Sequence, residues 1–101
     1  MVERDKAIIE CVIAETGITL EMMRSRVMVR RFVDARMVLA VLLMTKAGLV
    51  QREIAEILNR NKACIYYYRE HFDDLILFDD RFAVMYRKCL ASVEARLGGE
   101  Q

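Results

Sequence analysis

The chain has 101 residues, 55% hydrophobic and 31% charged, with a formal net charge of +1. That length supports one domain with a real core, and the balance is that of a soluble globular protein. The longest apolar run, residues 37–44, is far short of a membrane span, and the charged start at residues 2–6 has no apolar signal region after it, so a cytoplasmic location is expected.

There is no proline and there are only four glycines, two of them near the end, at 98 and 99. Without that punctuation, and with apolar residues at helical rather than alternating spacing, the expected fold is all-α, a bundle of five or six helices. A first helix is predicted over 3–15, with Ile8, Ile9, Val12 and Ile13 on one stripe, stopped at Thr16-Gly17. Thr19 is placed to cap a short second helix, 20–24, turning Leu20 and Met23 inward. Residues 25–30 read as a basic loop or frayed turn. A third helix over 31–47 is apolar on all sides between 37 and 44, which predicts the buried central helix. Gly48 ends it.

Residues 51–70, QREIAEILNRNKACIYYYRE, read as a helix-turn-helix, around which the rest is a scaffold. Ile54, Ile57 and Leu58 share a face of the first helix, 51–58. Ala55 leaves room for the crossing helix. Asn59 falls where a left-handed residue is wanted, and Asn61 is placed to cap the second helix. Ile65, Tyr68 and Phe72 turn back to the core. Arg60, Lys62, Ala63, Tyr66 and Tyr67 remain outward near the start of the second helix, where a recognition helix meets base edges. This helix is predicted to run to residue 77. A last helix follows from Asp79 or Asp80 to about 97, with the two aspartates as cap and dipole partners. One domain, 1–97, and a disordered tail, 98–101, are expected.

The small net charge hides an uneven distribution. Residues 1–23 carry two bases and five acids, and residues 70–101 carry four bases and seven acids. Residues 24–69 carry ten bases and three acids, a net +7 on and just before the helix-turn-helix. Such clustering is the footprint of a nucleic-acid binder, set against the plainer reading of a solvated basic face. Catalytic readings are weak. His71 is the only histidine and has no nucleophile or second ligand at useful spacing. The pairs Asp73-Asp74 and Asp79-Asp80 flank a helix junction and suit caps. There is no glycine-rich phosphate loop, hence no nucleotide site. Cys11, Cys64 and Cys89 are an odd, scattered set that reads as small hydrophobes in a reducing compartment. A binding module without metal or cofactor is expected, not an enzyme.

Several segments then carry a resemblance: Ser25-Arg26, Arg30, Ala35-Arg36-Met37-Val38, Gln51-Arg52-Glu53-Ile54-Ala55, and Asn59-Arg60-Asn61 before Ile65. In order and spacing this is similar to the C-terminal DNA-binding domain of the bacterial replication initiator DnaA, over about residues 8–97. The resemblance implies a fold similar to the Trp repressor and a partner in double-stranded DNA. It implies a loop arginine, Arg26 or Arg30, in the minor groove and Arg36 on a phosphate, with Arg31 close by. It makes Arg60 the counterpart of the family arginine in Gly-Arg-Asp-His-Thr-Thr, the segment that reads bases. Around Arg60, however, this chain has Asn59, Asn61, Lys62, Ala63 and Cys64, so the scaffold is kept and the reading set replaced. The family's ATPase domain is not in this sequence. The implied process is regulation of replication or transcription. The second expectation is a protein-interaction module that kept the fold, with Tyr66 and Tyr67 as anchors of an interface.

Overall fold

The structure, a computed structural model, describes residues 2–98. Six α-helices follow one another with no strand among the described residues: α1 (Glu3–Thr16), α2 (Leu20–Arg24), α3 (Arg30–Ala47), α4 (Gln51–Leu58), α5 (Lys62–Phe78) and α6 (Asp80–Gly98). The predicted boundaries of α2 and α4 hold, and those of the others move by about a residue. Gly98, expected in a disordered tail, is the last helical residue of α6, and residues 99–101 lie outside the described residues.

Local chemistry accounts for the ends of these helices. Gly17 and Gly48 stop α1 and α3 with φ of 73° and 69°, a conformation that costs glycine little. The Thr19 hydroxyl accepts from the Met22 N–H at 3.1 Å and opens α2. Glu53 reaches back to accept from the Val50 N–H at 3.0 Å and steadies the start of α4.

The axis of the core is α3. Phe32 and every residue from Ala35 to Leu43 are buried. α1 packs on α3 and α6, and α5 packs on α3, α4 and α6. Ile8, Leu39, Leu42, Leu43, Ile54, Leu58 and Ile65 are fully enclosed, each contributing about 1.5–3 kcal/mol by leaving water. Phe72 meets Phe82 and Tyr86 edge-on, with ring centroids 5.8 Å and 4.7 Å apart, which locks α5 to α6. Cys11 and Cys89 are buried, and burial pushes the Cys89 thiol up to about 12.

Asp79 turns the chain from α5 into α6. Its carboxylate accepts from the Phe82 N–H at 3.0 Å and pairs with the Arg30 guanidinium. The Phe82 N–H, and after it Arg30, hold this carboxyl below the usual range. A depressed pKa gives stability that is present above the unfolded value and is lost as pH falls through the folded one. Asp79→Ala should therefore lower the melting temperature by about 4–8 °C at neutral pH. The gap from the parent chain should close in acid below the ordinary aspartate range. Melts of both chains at the two pH values check this, and a gap that persists in acid refutes it.

Candidate nucleic-acid interface

α4, the turn at Asn59–Asn61 and α5 form a tight helical hairpin. Asn59 adopts the left-handed conformation, φ 55° and ψ 47°, and its N–H donates to the Ala55 and Glu56 carbonyls. Asn61 caps α5, its side-chain oxygen accepting from the Cys64 N–H at 2.9 Å. Ile65, Tyr68 and Phe72 are buried and leave the opposite face of α5 to solvent. Burial pushes the Tyr68 hydroxyl up to about 12, so this ring stays neutral beneath the turn.

The loop between α2 and α3 lies against this turn, held by arginines that bond to main-chain carbonyls. Arg24 donates from one nitrogen to the Glu56 and Ile57 carbonyls, both at 2.8 Å, at the C-terminal end of α4. Arg60 donates to the Ser25 carbonyl and, at 3.1 Å, to that of Asn59. Asn59 donates from its side-chain amide to the Arg24 carbonyl at 3.3 Å. From below, Arg36 donates to the carbonyls of Met23 at 2.6 Å, Ser25 at 3.0 Å and Val27 at 2.6 Å.

This arrangement corrects the expectation for Arg36. It is 0% exposed, and a phosphate cannot reach it. Burial, with Arg60 nearby, lowers its pKa from the ordinary arginine value. A guanidinium directs five donors in a fixed plane, which lets one side chain gather several carbonyls of a bent loop. Arg36 shapes the basic loop from inside. Arg60, half-buried, is likewise engaged by carbonyls rather than presented outward as its counterpart position implied.

The other expected residues divide between the two ends of α5, which is about 25 Å long. At its N-terminal end, Arg26, Met28, Asn59, Arg60 and Asn61 surround an open cavity of about 530 Å³ with no carboxylate in its lining. Lys62 and Ala63 are exposed beside it. Arg52, which sequence reasoning passed over, joins Arg60 and Lys62 around a neighbouring groove of about 470 Å³ that also includes Glu56. Its signal was the helical spacing from Arg52 through Ala55 and Glu56 to Asn59.

Arg30 and Arg31 are at the other end. Arg30 pairs with Asp34 at 2.9 Å and with Asp79 just beyond α5. Arg31 stands over the Phe32 ring, 5.6 Å from its centroid. Neither lines the cavities around Arg26, Arg52, Arg60 and Lys62.

Tyr66 and Tyr67 are 55% and 54% exposed. The Tyr67 ring lies against His71, centroids 4.0 Å apart, and meets Tyr68 edge-on. Along the i, i+4 row of α5 stand Lys62, Tyr66, Glu70, Asp74 and Phe78, so the outer face changes from basic to acidic midway. Only its first two turns suit a polyanion.

No protein-family model, curated protein or solved structure matches this chain. No helix among the described residues is long and apolar enough to cross a membrane, and they contain no cluster of three or more histidine, cysteine or acidic side chains able to hold a metal ion.

Proposed function

We propose that this chain binds double-stranded DNA through the start of α5, the turn before it and the loop after α2. The observation that supports this reading is the gathering of Arg26, Arg52, Arg60 and Lys62, from three separate stretches of sequence, around one end of one helix. Arg26 and Arg52 act as phosphate contacts, which set register without reading sequence. Lys62 and Ala63 face the major groove, with Tyr66 behind them. The order of basic loop, central helix, helical hairpin and closing helix keeps the likeness to the DnaA C-terminal domain as part of this proposal, and with it a bacterial setting and a role in replication or transcription. A different reading set gives a different preferred site from that of the initiator.

Lysine pairs best with the O6 and N7 acceptors of guanine, and an alanine methyl packs on that of thymine. With a site selected from a random duplex library, Lys62→Ala should cost about 1–3 kcal/mol and relax the choice at one base pair. Binding measured on the selected site and its single-base variants decides the matter. An equal loss on every variant reduces Lys62 to a phosphate contact, and no binding to any duplex at low salt refutes the DNA reading. The half-exposed Tyr66 and Tyr67 favour the second reading, a protein-interaction module, which then takes its place.

A further inference from the structure

The most exposed large apolar side chains among the described residues are Phe78 and Leu77, 83% and 71% exposed, at the C-terminal end of α5. Asp74 stands one turn before Phe78 on the same row, and Asp80 opens the next helix. Neither acid has an ion-pair partner among the described residues. This corner is apolar, with Asp74 and Asp80 as its acidic neighbours. Beside it lies the complementary pattern. Val29 is 50% exposed, and with Arg30, Arg31 and Arg81 it lines a cavity of about 570 Å³ that also includes Asp34 and Asp79. The Arg30–Asp79 pair joins the two halves.

We propose that this surface is a two-fold interface between two copies of the chain. The basic apolar half of each copy, Val29 with Arg31, sits on the acidic apolar half of the other, Phe78 with Asp74. A two-fold contact uses the same patch on both partners, so the patch must complement itself, and these adjacent halves of opposite sign do so. Phenylalanine so exposed is the kind of side chain an interface covers, and one ring brings about 150–250 Å² to the contact. The area is small beside a standard interface, so the dimer is weak and sensitive to salt. It lies at the end of α5 away from Lys62 and does not depend on the DNA reading.

Sedimentation velocity of the whole chain should show monomer passing to dimer between about 1 μM and 1 mM, and less of it at high salt. Phe78→Asp should abolish the transition. Asp74→Arg and Arg31→Asp should each raise the dissociation constant by about tenfold or more, and the two together should restore association. All three positions are exposed, so circular dichroism should find these variants folded. A parent chain that stays monomeric to the highest concentration overturns the proposal and leaves the corner to a different, basic partner. A dimer indifferent to Phe78→Asp, or a double variant no better than the single ones, overturns it as well.

Discussion

Arg36→Ala is expected to destabilise the chain by about 3 kcal/mol or more, which for a domain of this size lowers the melting temperature by about 12–24 °C. The variant strips the carbonyls of Met23 and Val27 of their donor at once and leaves that of Ser25 with Arg60 alone. Each bond to a charged group contributes about 1.5–3 kcal/mol, and a buried acceptor left bare costs about 1–3 kcal/mol. The opposing effect is that a buried cation no longer has to be kept from water, which can make an apolar replacement neutral. The bonds should win, because no carboxylate neutralises Arg36 among the described residues, and of its three carbonyls only that of Ser25 has a second side-chain donor, Arg60. Arg36→Lys keeps the charge but not the planar fork and should fall between. Urea unfolding of the Ala, Lys and Met variants separates the effects. An Arg36→Met chain as stable as the parent would show that volume, not the carbonyl bonds, is what the position supplies.

The second large effect concerns affinity. Arg26→Ala and Lys62→Ala together should weaken duplex binding about 100-fold at low salt and reduce the slope of log K against log salt by about 1.8. Arg30→Ala with Arg31→Ala removes as much formal charge and should leave both quantities nearly unchanged. Those two arginines are at the far end of α5, one of them already between Asp34 and Asp79. Equal losses from the two pairs would mean that binding follows overall charge, and that the cluster around the turn has no special part in it.

The contrast between the two pairs also marks what sequence can reveal. Asn59, Asn61, Thr19 and Asp79 were readable because a cap or a left-handed turn acts within three or four residues. The apolar stretch of α3 was readable for the same reason, since helical period and burial are local patterns. Arg36 was misread as a surface cation at the head of a helix. Its one local signal is that it stands alone as a charge between Asp34 and Lys46, in a stretch with no polar face. The carbonyls that hold it belong to a bent loop, and carbonyls are the same in every sequence. Arg30 was misplaced because Asp79 is 49 residues away. Spacing along a chain predicts which side chains share a helix face. It does not predict which end of the molecule a loop reaches.

The bonds from Arg24, Arg36, Asn59 and Arg60 have a kinetic consequence. A free loop of this kind must be caught in the right shape during an encounter, and many collisions are wasted. Here the shape is made when the chain folds, because the loop is fastened to the hairpin before anything arrives. Whatever lands on this end of the molecule should meet a finished surface and associate fast, with little rearrangement after contact. Loosening the fastening at Arg60, which is nearer the surface than Arg36, should then slow the approach of a ligand more than it hastens its departure.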